Sequence, residues 1–209
     1  MPDKKGAGIP LPEKEEGVQK DIEEKEEVAT IEEAKQLFNE AKGRLLDVNK
    51  WDKICGEGSA KFTLTDESGH EVQSIPEVGY YFKIDIPGPG TKEGDGFDWV
   101  RVEAIEEDRD IKEDYQYIIM RVRPSAKPDS DKKDVAHFFS GKSTSNFLVY
   151  RESKIVTAAV LGRNEVPNTK ENTSLLDKIR NALVGIGAAA GFSNPQWKKL
   201  VKGLLGKKD

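Results

Sequence analysis

The sequence predicts an α+β domain: a curved antiparallel sheet packed on a long C-terminal helix, with an N-terminal helix and a short extra C-terminal helix. Three observations predict it. Apolar residues recur at helical spacing from Ile31 to Leu45, the period falls to two in successive segments between Ala60 and Arg163, and helical spacing returns after Ser174. Consecutive strands joined by loops, with no helices between them, pair antiparallel.

The chain has 209 residues, a length that suits one domain. Residues 1–28 read as a disordered acidic leader, 29–206 as a single α+β domain and 207–209 as a basic tail. The leader is broken by Pro2, Pro10, Pro12, Gly6, Gly8 and Gly17, and a Glu/Lys run with few apolar residues follows.

The first helix starts at a capping box, Thr30 with Glu33, where a hydroxyl and a carboxylate each satisfy a free backbone N–H. Its apolar stripe is Ile31, Ala34, Leu37, Phe38, Ala41 and Leu45. Asp47 is placed to cap a shorter helical turn through Trp51 and Ile54 that ends at Gly56–Gly58. Lys61–Thr65 and Glu71–Ile75 then read as a hairpin about the turn 67–69. Gly79–Ile86 sets Tyr80, Phe82, Ile84 and Ile86 on one face. Asp98–Glu106 and Tyr115–Arg123 form the next pair, Ser145–Arg151 and Ile155–Arg163 the last.

The final helices carry the stripes Leu176, Ile179, Leu183, Ile186, Ala190 and Trp197, Leu200, Val201, Leu204, Leu205. Gly185, Gly187 and Gly191 weaken the first of these by roughly 1 kcal/mol each relative to alanine, so close approach to another backbone is their expected return. Ser193 with Gln196 reads as a second capping box, and Phe192 with Trp197 as a hydrophobic staple. The staple folds the last helix onto the domain. The rival reading, with Lys198, Lys199 and Lys202 opposite the stripe, is contact with an anionic membrane surface.

Composition excludes several classes. A single cysteine, Cys55, forbids an intrachain disulfide and suits a reducing, cytoplasmic setting. The longest apolar run, Ala182–Phe192, is about half of what a membrane span needs. A net charge of −5 gives no general attraction to nucleic acid. Residues 1–30 hold nine acids against five lysines, and residues 177–209 hold seven bases against two acids, so head and tail attract each other.

The tempting motifs read as chance. Ala136–Ser143 fits the loose phosphate-loop pattern, yet its loop contains Phe138 and Phe139 and runs on into a strand rather than a helix. Gly185–Gly191 resembles a dinucleotide fingerprint with its third glycine one residue late. Two histidines and one cysteine, far apart, give no zinc spacing, and Glu93–Asp98 lacks the order of a calcium loop. No metal or cofactor is expected.

The arginines are the remaining polar candidates. Arg121 and Arg123 share a strand face with Tyr117 and Ile119, and Arg163 follows Thr157, Ala159 and Leu161 on one face of its own strand. Facing inward, Tyr117, Arg121, Arg123 and Arg163 would line a ligand site and grip an acidic group. At strand ends they would instead pair with Glu103, Glu165 or solvent.

The element order resembles the helix-grip fold of START-like lipid-transfer and polyketide-cyclase-like proteins, through the helix-end tryptophan in Val48–Trp51 and the helix Leu175–Gly191. Ile84–Gly90, Asp98–Glu103 and Leu161–Asn168 are also similar to phrases of an uncharacterised bacterial protein family, which brings no activity. The helix-grip resemblance implies a cavity between sheet and C-terminal helix for a small apolar or amphipathic ligand. Non-enzymatic binding of such a hydrophobic or acidic ligand is therefore the expected function. The alternatives are a protein-interaction or structural module without a ligand, and a cyclase-like or hydrolytic enzyme using Asp85, His137 or an arginine. Oligomeric state is not legible.

Overall fold

A computed structural model describes residues 4–5, 9–10, 17–56, 59–86, 91, 94–107, 114–131, 134–168 and 194–207. Strands β1 (Lys4–Lys5) and β2 (Ile9–Pro10) pair antiparallel with each other. Then follow β3 (Val18–Glu27), α1 (Ile31–Leu46), a single 3₁₀ turn over Val48–Lys50, and α2 (Trp51–Cys55). Six strands come next: β4 (Lys61–Thr65), β5 (Tyr81–Asp85), β6 (Asp98–Glu107), β7 (Tyr115–Pro124), β8 (Thr144–Glu152) and β9 (Ile155–Glu165). Helix α3 (Asn194–Leu204) closes the described part.

Strands β3 to β9 form one curved antiparallel sheet of seven strands, ordered β3-β9-β8-β7-β6-β5-β4. This is the expected α+β architecture, with helices gripped by one face of the sheet. The expected long helix at Leu175–Gly191, the box residue Ser193 and the staple residue Phe192 lie outside the described residues. The described C-terminal helix is the short one.

Helix α1 begins as its sequence dictates. Thr30 Oγ1 accepts from the Glu33 N–H at 3.1 Å, and the Glu33 carboxylate accepts from the Thr30 N–H at 3.1 Å. Its stripe residues Ala34, Phe38, Ala41 and Leu45 are buried. Asp47 makes no side-chain cap; its carboxylate pairs instead with Lys50.

The inner face of the sheet and the three helices share one core centred on Trp51, which is 0% exposed. Its ring lies 5.3 Å from Phe62, 5.8 Å from Phe82 and 4.7 Å from Phe147, while its Nε1 donates to the Arg44 and Leu45 carbonyls at 3.2 Å. Helix α3 packs its buried Leu200, Val201 and Leu204 into the same core, and the Trp197 ring meets Phe62 at a tilt and Phe147 edge to face. Folding back on the domain, rather than docking on a membrane, is thus what the stripe does. Gln196 Oε1 accepts from the Ala60 N–H at 3.1 Å and ties α3 to the start of β4.

Two sequence expectations are corrected. Val18–Glu27 is a ten-residue edge strand, not part of a disordered leader. It pairs with β9 from Lys20 against Gly162 to Glu27 against Ile155. The physical reason is β9 itself: buried nearly end to end, it needs a backbone partner on both sides. The partner's acids are what an edge strand carries on its exposed positions. The second correction concerns β4, which pairs with Tyr81–Asp85 rather than Glu71–Ile75. The chain does turn back, but it makes one bridge, Thr65 with Glu71. At the next pair the Val72 N–H donates to the Leu64 carbonyl at 3.0 Å, while the Asn49 side chain bridges the other half, accepting from Leu64 N–H at 2.8 Å and donating to the Val72 carbonyl at 2.9 Å.

Candidate functional site

Strand alternation divides the polar candidates between the two faces. On β7, Ile118, Met120 and Val122 face the helices, so Tyr117, Ile119, Arg121 and Arg123 lie on the outer face. On β9, Val156, Ala158 and Val160 face the helices, which sets Thr157, Ala159, Leu161 and Arg163 outward. The four predicted site residues do share one face, through the spacing within each strand and the register between strands. It is the face opposite α1–α3.

Register turns this face into rows. One row runs Lys25, Thr157, Tyr150, Tyr117, and the next runs Glu23, Ala159, Leu148, Ile119. A third runs Asp21, Leu161, Asn146, Arg121, and beyond it Arg163 stands opposite Thr144. The centre is a second apolar cluster of Ile119, Leu148, Ala159 and Leu161, all buried, with Tyr115, Tyr117 and Tyr150 packed against it. The three tyrosine rings lie close together, with centroids 6.0 and 6.2 Å apart.

The arginines at the other end differ in their ties. Arg121 Nε donates to Asn146 Oδ1 at 3.0 Å, and Asn146 is held in turn by the Leu161 carbonyl. Arg123 pairs with Glu103 at 2.5 Å and donates to the Gly141 and Lys142 carbonyls. That is the pairing with Glu103 expected of a strand-end arginine, and it pins the loop before β8. Arg163, 3% exposed, uses Nη1 for Asp21 at 2.5 Å and for the Gly162 carbonyl at 2.8 Å. Its Nε has no hydrogen-bond partner among the described residues, and neither does Thr157 Oγ1 on the same face. Sequence reasoning missed Thr157 because a strand threonine in an apolar run reads as packing.

The enzymatic candidates are not assembled. Asp85 is exposed at the end of β5. His137 is buried, its Nδ1 accepting from the Phe139 N–H at 2.9 Å and its ring stacked on Phe138. The phosphate-loop look-alike passes straight from loop into β8, so its amides face no helix-start anion site. Cys55 is buried, which pushes its thiol up to about 12 and keeps it un-ionised at neutral pH. Among the described residues, no group of three His, Cys, Asp or Glu side chains could hold a metal ion, and no helix is long and apolar enough to cross a membrane.

No family model and no curated protein matches the chain. Among solved structures it is similar to Ara h 8.0201, at 12% identity and TM-score 0.37 over 91% of this chain and 100% of that one. It is also similar to a truncated norcoclaurine synthase from Thalictrum flavum, at 12% identity and TM-score 0.36 over 91% and 96% of the two chains. A further structure of the Thalictrum flavum enzyme gives 12% identity and TM-score 0.34 over 93% and 97%. Likeness at this level carries no ligand or activity to this chain. The sheet order and the two-faced packing are its own evidence.

Proposed function

We propose that this is a non-enzymatic binding protein whose ligand is a small amphipathic molecule with an acidic group, taken on the outer face of the sheet. One observation carries the reading. Two buried polar atoms without hydrogen-bond partners among the described residues, Thr157 Oγ1 and Arg163 Nε, bracket the apolar cluster of Ile119, Leu148, Ala159 and Leu161 on a single sheet face. A buried polar atom left unmet costs about 1–3 kcal/mol, so its persistence calls for a partner. Apolar walls with a few convergent polar groups are what small-molecule sites share.

The geometry also sets the ligand's shape. Thr157 and Arg163 lie along one strand at a separation on the order of 20 Å. The tyrosines suit the apolar body, and Arg163 with Arg121 suits the acidic end, where a guanidinium grips a carboxylate or phosphate best. Tyr117 belongs to the apolar wall. Arg123, clamped by Glu103 and two carbonyls, holds the rim. The reading is of an intracellular protein, in line with its single buried thiol.

Anilinonaphthalene sulfonate, an aromatic anion, is the direct probe. Saturable fluorescence enhancement on the folded protein is expected, weakened several-fold by Thr157→Val and by Arg163→Leu. Native mass spectrometry of freshly purified protein is expected to show a co-purified small molecule. A bare mass together with non-saturable dye binding would sink the proposal.

A further inference from the structure

Glu165 closes the sheet at a place where a side chain is missing. Asn164 adopts φ 55°, which breaks the alternation of β9 and turns the following residue across the strand. The Glu165 carboxylate then folds back over Gly162: a Cβ built at Gly162 would lie 2.2 Å from Oε1 and 2.8 Å from Cδ. A side chain at this position would have to push the end of the Glu165 side chain aside, so the carboxyl group fills the niche that glycine leaves. Oε2 is buried with no hydrogen-bond partner among the described residues.

The same niche sits under the first residues of β3. Val18 pairs with Glu165 and Lys20 with Gly162, with an irregular register between them. A Cβ at Gly17 would lie 2.7 Å from the Glu165 carbonyl oxygen, so the chain enters the strand in contact with this residue. The charged groups that face the carboxyl are Lys20 from β3 and Arg163 from β9. Arg163 is already engaged by Asp21. The loop before β8 meets this strand end through uncharged groups: the Ser140 N–H donates to the Val166 carbonyl, and Ser143 Oγ accepts from the Val166 N–H.

We infer that Glu165 is a proton-operated latch: protonated, it seats over Gly162 and holds the leading end of β3 on the sheet; ionised, it leaves the niche and loosens residues 17–20. The inference does not rest on the proposed ligand, although Arg163 belongs both to that outer-face site and to the surroundings of this carboxyl. Burial is the main reason that the group resists ionisation, and it raises the carboxyl to about 7 against the partial relief from Lys20 and Arg163. The sign follows from that direction. A folded-state value above the unfolded one means that the latch holds fully below the ordinary carboxylate range and is lost as pH rises through neutrality. Lys20 and Arg163 limit the release, because they draw the ionised carboxylate back.

The test is NMR of the full chain labelled on the Glu carboxyl carbons and backbone amides, from about pH 4 to about pH 8.5. The Glu165 carboxyl is expected to titrate near neutrality. Exchange protection of the Val18 and Lys20 amides, corrected for intrinsic exchange, is expected to fall about tenfold across that step. Glu165→Gln removes the step and keeps the protection high throughout. Gly162→Ala expels the carboxyl, returns its titration to the ordinary range, and leaves the same amides weakly protected at all pH values. Should the Gln variant not fold, the wild-type carboxyl titration decides alone. Titration in the ordinary carboxylate range in the wild type, or full pH dependence surviving in Glu165→Gln, overturns the inference.

Discussion

Lys207 ends the described chain on its first main-sheet strand: its Nζ lies 2.7 Å from a Glu24 carboxylate oxygen. It also reaches Glu26 at 2.8 Å and the Lys25 carbonyl at 2.6 Å. The attraction between acidic head and basic tail that the sequence implies is therefore an internal tie. It also blunts an edge strand, where open carbonyls invite foreign strands. Both carboxylates hold the Lys207 ammonium above the ordinary lysine range, Glu24 first. Lys207→Ala is expected to cost no more than about 1 kcal/mol in urea unfolding, and the cost should shrink at high salt, as for other partly exposed pairs. A cost that salt leaves unchanged would show that the side chain acts by packing instead.

Trp51 makes a larger difference. It is fully buried and ring-packed against three phenylalanines, so Trp51→Ala is expected to cost about 3–5 kcal/mol. Trp197 touches two of the same rings from a partly exposed position, and Trp197→Ala should cost clearly less. Thermal melts of the two variants give the comparison. Equal losses would mean that α3 matters to the core as much as the central tryptophan does.

How legible was this in the sequence? Helix α1 was, because a capping box and a six-residue stripe state the same thing twice, and β5 to β9 were, because short runs rich in apolar residues alternate with loops and carry no helical period. Strand β3 was not. Ile22 is its one buried apolar residue, and Glu/Lys composition mimics disorder when the partner strand is far away in sequence. That Tyr117, Arg121 and Arg123 share a strand face was legible from period two; that Arg163 joins them depends on the register of β7, β8 and β9. Which face the helices would take was not, since both faces carry apolar residues and the choice depends on the volume of Phe147, Met120 and Val160 against Leu148, Ile119 and Ala159. Glu165 and Gly162 gave no signal, because their relation depends on one residue with positive φ between them.

Cys55 tests the interior by chemistry. Its thiol is buried and pushed up to about 12, with Lys199 offering only partial relief. Native protein at mildly alkaline pH is expected to react with a disulfide reagent far more slowly than denatured protein, which should titrate one thiol per chain. Rapid native reaction would place the thiolate within reach of solvent and undo the account of α2 and α3 packed over it.

Gly203 is the contact that lets α3 approach α2. A Cβ there would lie 2.2 Å from Ile54 Cγ2, so Gly203→Ala forces the two helices apart. Overpacking of this kind costs about 1–3 kcal/mol. Shortening the neighbour makes room, and Ile54→Ala in the Gly203→Ala background is expected to cost less than the sum of the two single changes. Strict additivity in urea midpoints would mean that the two side chains do not meet.

Thr157 sets stability against binding. Its buried hydroxyl has no hydrogen-bond partner among the described residues, and along the same strand face Ala159 and Leu161 follow it. Thr157→Val keeps the shape and removes the unmet oxygen. The free protein is expected to gain up to about 1 kcal/mol, because a buried polar atom without a partner is a net cost. Dye affinity is expected to fall in the same variant, because the lost hydroxyl is one of the two polar groups proposed to meet the ligand. A variant that gains stability and binds unchanged would leave Thr157 as a packing residue with a misplaced oxygen. A variant that loses stability would mean that the hydroxyl is already satisfied in solution, and the outer face would then lose the observation that marks it as a site.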